Sequence, residues 1–99
     1  MNQQILSISE IQNGLDQLNQ NTDQEWTVIG GKLHKIFQFK NFIEAFGFMT
    51  RAAIVAEKLN HHPDWSNVYR TVTVNLVTHE ANGITALDFK LAKKMDGLI

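Results

Sequence analysis

Three of the four histidines fall between positions 61 and 79. Two are adjacent, in Glu57-Lys58-Leu59-Asn60-His61-His62-Pro63-Asp64-Trp65, and the third stands in Thr78-His79-Glu80. Histidine is the side chain whose ordinary pKa lies nearest neutrality, so such a cluster suits proton transfer at cellular pH. Metal binding is the competing chemistry. The chain has no Cys, no HxxxH and no HxH, and adjacent helical side chains diverge by about 100 degrees. A three-histidine zinc site would need His79 to fold back onto the pair. The residues therefore read as acid/base groups, with no metal expected. On a helix Glu57 and His61 share a face, so Glu57 is expected to accept a hydrogen bond from His61 and fix its tautomer.

Each of these residues also has a purely structural reading. His-His-Pro suits a helix end, where imidazoles meet free carbonyls and Pro63 stops the helix. Either histidine alone would be given that role; the doublet with Trp65 and a third histidine at a strand end favours a site. Trp65 is a stacking wall for a planar ring in one reading and core or interface filler in the other. Tyr69 reads as buried with its hydroxyl bonded, Thr78-His79-Glu80 as a polar strand end, and His34 as a surface strand residue. Thr85 and Asp88 read as a capping pair, whatever else Asp88 does. Phe37, Phe39, Phe42, Phe46 and Phe48 are assigned mostly to the core, with one or two at a subunit contact, and Lys90, Lys93 and Lys94 to a solvated helix face.

The elements that must position these groups follow from periodicity. Ser7 and Glu10 form a capping-box pattern ahead of Ile8, Ile11, Leu15 and Leu18 at helical spacing. Gly14 weakens that helix by about 1 kcal/mol relative to Ala. Asn19 to Glu25 is a polar loop. Trp26–Ile29 and Leu33–Phe39 read as strands joined by Gly30-Gly31, with Leu33, Lys35, Phe37 and Phe39 on one face. Asn41 caps a helix over about 42–60, whose buried face is assigned to Phe42, Phe46, Met49, Ala53 and Ala56; Pro63 ends it near Asn60 or His61. Residues 64–78 are β-rich, with Ser66-Asn67 as the preferred turn and a hairpin near Arg70 as the alternative. Asn82-Gly83 is a turn, and Thr85 caps a last helix striped by Leu87, Leu91, Met95 and Leu98. The order α-β-β-α-β-β-α predicts an α+β two-layer domain, with helices on one face of a four-stranded antiparallel sheet.

Composition narrows the partners. The chain has 99 residues, 43% hydrophobic and 19% charged, with a net charge of -1. One domain spanning 1–99 is expected, with a thin core that favours self-association through open sheet edges. The neutral balance argues against nucleic-acid binding and against a polybasic membrane contact. No apolar run approaches the roughly 18 residues that span a bilayer, and MNQQILSISE has neither the charged nor the apolar region of a signal peptide. A Cys-free chain of this size is expected in the cytoplasm.

The stretch from Glu57 to Trp65, with Asn67-Val68-Tyr69, Thr78-His79 and Gly83-Ile84-Thr85 to Asp88, resembles the pterin-4a-carbinolamine dehydratases. The match covers roughly the last half of the chain, with weaker agreement around Trp26 and Phe37–Phe46. The resemblance implies an enzyme that removes water from a 4a-hydroxytetrahydropterin to give a quinonoid dihydropterin, in the recycling of tetrahydrobiopterin for aromatic amino acid hydroxylation. It implies His61, His62 and His79 as active-site histidines and Glu57, Trp65 and Thr78 to Glu80 as pocket residues. It also implies no metal, no cofactor beyond the substrate, and a homo-dimer or homo-tetramer. The alternative is a non-catalytic dimerisation cofactor of the coactivator type, as in the family's animal branch; a histidine metal-binding protein ranks third.

Overall fold

The computed structural model describes residues 4–20 and 22–99. Met1 to Gln3 of the expected leaderless start and Asn21 of the expected polar loop lie outside the described residues. The elements are α1 (Ile8–Leu18), β1 (Thr27–Ile29), β2 (Lys32–Gln38), α2 (Phe42–Leu59), β3 (Asp64–Val68), β4 (Thr71–Leu76) and α3 (Ala86–Asp96). This is the expected α-β-β-α-β-β-α order, with a four-stranded antiparallel sheet arranged β1-β2-β4-β3.

Local chemistry explains each boundary. Ser7 and Glu10 make a full capping box on α1, as do Thr85 and Asp88 on α3. The Asn41 side chain accepts from the Glu44 N–H to start α2. Gly30 and Gly31 both have positive φ, the two-residue hairpin geometry that glycine adopts without a Cβ clash. In the loop after α1, the Asn19 amide clamps both backbone groups of Trp26.

The β3–β4 turn differs from the preferred expectation. It falls at Tyr69-Arg70, with Val68 paired to Thr71, not at Ser66-Asn67. Asn67 still serves the turn, through its side chain: the amide donates to the Tyr69 and Thr71 carbonyls at 3.0 Å each. Tyr69 sits at the tip with a φ of 53° and is exposed, not buried as expected.

The core lies between the helices and one sheet face. Leu33, Phe37, Val72, Val74 and Leu76 from the sheet meet Ala45, Phe48, Ala52 and Ala56 of α2 and Leu91, Ala92 and Met95 of α3. The buried face of α2 differs in part from the one expected: Ala56 is buried and Met49 packs on the core, but Ala45, Phe48 and Ala52 stand where Phe42, Phe46 and Ala53 were expected. Phe42, Phe46 and Ala53 point outward with Ile43 and Ile54. The helix is apolar on two sides; the buried one presents Ala45, Ala52 and Ala56 with Phe48, and its alanines let the helix approach the sheet closely. Periodicity locates apolar stripes and does not rank two of them.

Lys35 keeps the register expected for β2, which places a charge on the core face. It is buried, pairs with Asp96 at 2.9 Å and lies 4.7 Å from the Phe37 ring centre. The Trp26 indole N–H donates to the same carboxyl at 3.0 Å. The charge is thus paired and hydrogen-bonded, the condition for burying it, and the pair ties the end of α3 to the sheet.

Gly14 in α1 is explained by packing. A Cβ there would stand 2.7 Å from the Phe89 ring of α3. Alanine gains about 1 kcal/mol in helix propensity, but overpacking costs about 1–3 kcal/mol. Gly14→Ala is accordingly expected to lower the thermal midpoint; a higher midpoint would mean that the ring yields freely.

Candidate active site

The histidine segment begins where α2 ends. Asn60 takes the left-handed conformation, φ 51° and ψ 42°, and its N–H bonds back to Ala56 and Glu57. The His61 N–H also bonds to the Ala56 carbonyl, at 3.0 Å. This six-to-one bond with a left-handed cap is the Schellman arrangement, which asparagine tolerates better than other side-chain-bearing residues. The reversal sends consecutive side chains to different surroundings: His61 turns inward and is 7% exposed, while His62 returns to the last turn of α2 and is 58% exposed.

Inside, the His61 Nε2 lies 2.5 Å from Asp88 Oδ1. Asp88 is fully buried at the start of α3. Its Oδ2 accepts from the Thr78 hydroxyl and the Thr85 N–H, each at 2.9 Å. A carboxylate only accepts, so Nε2 carries the hydrogen of this bond. Nδ1 has no protein partner among the described residues, and no buried side-chain nitrogen or oxygen is left unpaired. Nδ1 is therefore the His61 nitrogen that reaches the surface.

Outside, His62 Nε2 meets Glu57 Oε1 at 2.8 Å. The expected Glu57–His61 bond is thus replaced by two others, because the helix ends before His61 and the i, i+4 geometry no longer holds. His79 follows Thr78 at the start of a turn closed by the Thr78–Gly83 bridge. Its Nε2 lies 3.5 Å from Asp64 Oδ2, an ion-pair reach, and the ring is 68% exposed. Each of the three imidazoles thus turns Nε2 toward its own carboxyl group.

Asp88 also joins the segments that sequence separates. It binds His61 with one oxygen and Thr78, the neighbour of His79, with the other. Asp64 is the second link. It pairs with Asn75, and Asn75 with His34, so the three form a row on the sheet face away from the helices. Asn75 Oδ1 accepts from His34 Nδ1 at 2.9 Å. The Lys32 ammonium, hydrogen-bonded at 3.1 Å, holds the Asp64 carboxyl below its ordinary value; burial opposes this, and His79 adds a smaller pull in the same direction.

The remaining expected site residues are less directly placed. Trp65 is half-buried against the core, on the opposite face of β3 from Asp64. The Thr78 side chain is buried and bonded within the protein, so its hydroxyl is not offered to a ligand. Glu80 is exposed in the turn. The sequence reading missed Asp88 as the partner of His61. The available signal was the capping box itself, which occupies one carboxyl oxygen and leaves the other for a second donor. A groove of about 600 Å³ between α1 and β1 involves none of the histidines.

Residues 4–98 match the family model described as pterin 4 alpha carbinolamine dehydratase. The chain belongs to this family. A relative from Chelativorans sp. (strain BNC1), provisionally named a pterin-4-alpha-carbinolamine dehydratase, is 56% identical over 97% of this chain and 95% of its own. One from Prochlorococcus marinus, named in the same provisional way, is 49% identical over 99% and 97%. A crystal structure of a transcriptional coactivator/pterin dehydratase from Brucella melitensis superposes with a TM-score of 0.86 at 44% identity, covering 95% of this chain and 97% of that one.

The Asp64 cluster makes a directional prediction. A carboxyl group whose folded pKa is depressed stabilises the fold above its unfolded value, and that contribution is lost as pH falls through the folded one. Lys32→Met is expected to raise the Asp64 pKa toward its ordinary value in a carboxyl NMR titration and to reduce the acid-side loss of stability. An unchanged Asp64 titration would show that Lys32 is not the cause.

Proposed function

We propose that the chain is a cytoplasmic dehydratase that removes water from 4a-hydroxytetrahydrobiopterin, or a closely related pterin-4a-carbinolamine, by histidine acid/base catalysis. The product is the quinonoid dihydropterin, and the step serves pterin recycling for aromatic amino acid hydroxylation. The observation that carries this reading is the His61–Asp88 pair, with Nδ1 of His61 reaching the surface in a chain of the dehydratase family.

The reaction needs one proton taken and one given. A base removes a ring N–H proton, the electron pair forms the C=N bond at C4a, and the C4a–O bond breaks. The departing hydroxyl takes up a proton and leaves as water. His61 acts as the base through Nδ1, and Asp88 stabilises the imidazolium that forms. His79 protonates the leaving oxygen. His62 positions the substrate, with Glu57 as an acceptor for the N–H donors of the pterin's amino-oxo edge. Trp65 and the Thr78–Glu80 backbone line the same pocket. No metal takes part.

The assembly is a homo-oligomer, a dimer or a tetramer. Its support is the outward face of α2, where Phe42, Ile43, Phe46 and Ile54 are exposed and the Phe42 and Phe46 ring centres lie 5.7 Å apart. The same face supports a second reading, a coactivator-type module, which the Brucella neighbour's name also mentions; that reading predicts partner binding indifferent to His61→Ala.

Two measurements test this reading. Freshly generated carbinolamine should decay faster with the wild-type protein than in buffer, and His61→Ala should lose about 10²–10⁴-fold of the enzymic rate; wild-type decay at the buffer rate would reject the dehydratase. Ile43→Asp is expected to shift the sedimentation mass to a smaller species, and a wild-type monomer would reject the oligomer.

A further inference from the structure

We propose that the hydroxyls of Thr78 and Thr85 are positioning groups for His61, acting through Asp88; this rests on the dehydratase reading for its catalytic consequence. The bonds fix every direction. Thr78 has a single hydroxyl hydrogen, and Asp88 Oδ2 takes it at 2.9 Å. Thr78 Oγ1 can then only accept from Thr85 Oγ1, 2.7 Å away. Thr85 Oγ1, having given its hydrogen to Thr78, accepts from the Leu87 N–H at 3.2 Å. The chain of donors therefore runs one way, from the Leu87 backbone through Thr85 and Thr78 to Oδ2, while Oδ1 receives Nε2–H of His61.

Thr78, Thr85 and Asp88 are all within 1% of full burial, so solvent does not substitute for a lost donor. Neither hydroxyl touches the surface, so neither can bind substrate. What they govern is which way the Asp88 carboxyl group is turned and how firmly Oδ1 is held against Nε2. Thr85 also caps α3, and a role limited to that cap would change stability alone. A role in positioning His61 changes the ring's tautomer and the pH dependence of turnover as well.

The test uses the full chain as wild type, Thr78→Val, Thr78→Ser and Thr85→Val. ¹⁵N NMR of the imidazoles reads the tautomer directly, and dehydration of a 4a-hydroxypterin is followed against pH. The wild-type ring is expected to be protonated at Nε2. Thr78→Val should mix the tautomers, displace the pH profile and lower kcat about tenfold, the usual cost of removing a group that orients a reacting side chain. KM should hold, because the lost group makes no substrate contact. Thr78→Ser should restore both readouts. Thr85→Val keeps the backbone N–H on Asp88 and should move the same readouts less, which preserves the comparison if Thr78→Val does not fold. A wild-type ring protonated at Nδ1 overturns the proposal, as does either folded valine variant with an unchanged ring signal and pH profile. An inactive wild type whose ring signal still responds to Thr78→Val would sink the dehydratase reading and leave the positioning intact.

Discussion

A carboxyl group with no access to water is tolerated only when its oxygens are filled by donors. Asp88 meets that condition with one donor from each of three places: His61 after α2, Thr78 after β4, and the backbone of Thr85 at the start of α3. Those segments are separate in sequence, and each extends from an element that the apolar core already holds in place. The buried group fastens their ends to one another, and the same contacts that satisfy it orient the His61 ring. Architecture and reactivity at this corner of the molecule thus share one requirement.

The three histidines carry the same wiring in different solvents. Each directs Nε2 to a carboxyl group, yet His61 is enclosed while His62 and His79 are largely open. An enclosed pair holds its geometry and is little screened; exposed pairs contribute little to stability and remain free to exchange partners with a ligand. The distinction originates in the left-handed residue Asn60. Without the chain reversal there, His61 and His62 would project from one helix a constant angle apart, and neither would reach Asp88.

Much of this was legible in the chain, because short-range rules produced it. The Ser7–Glu10 and Thr85–Asp88 boxes, the Gly30-Gly31 hairpin, the Asn41 cap and the β2 alternation are decided by residues within four positions of one another. The failures occurred where a choice depended on distant contacts. Two apolar stripes run along α2, and only the sheet's need for close approach selects the alanine side. Glu57 and His61 have the right spacing for a helix that in fact stops at Leu59. Asn67 looks like a turn residue but lies in β3, and it serves the turn at Tyr69-Arg70 by an amide reaching forward. Asp88 was read as a cap, and its second oxygen found its partner far away in sequence.

That forward-reaching amide also guards against a specific error. Side chains on β3 alternate, so a pairing shifted by one residue would turn Asp64 toward the core and Trp65 toward solvent. The Lys32 and His79 contacts would go with the first, and a large packing surface with the second. By holding the Tyr69 and Thr71 carbonyls, Asn67 adds two hydrogen bonds to the alignment that pairs Val68 with Thr71. A residue with no place in the chemistry thereby favours the one register that keeps the hydrophobic interior and the acid/base face on their proper sides of the sheet.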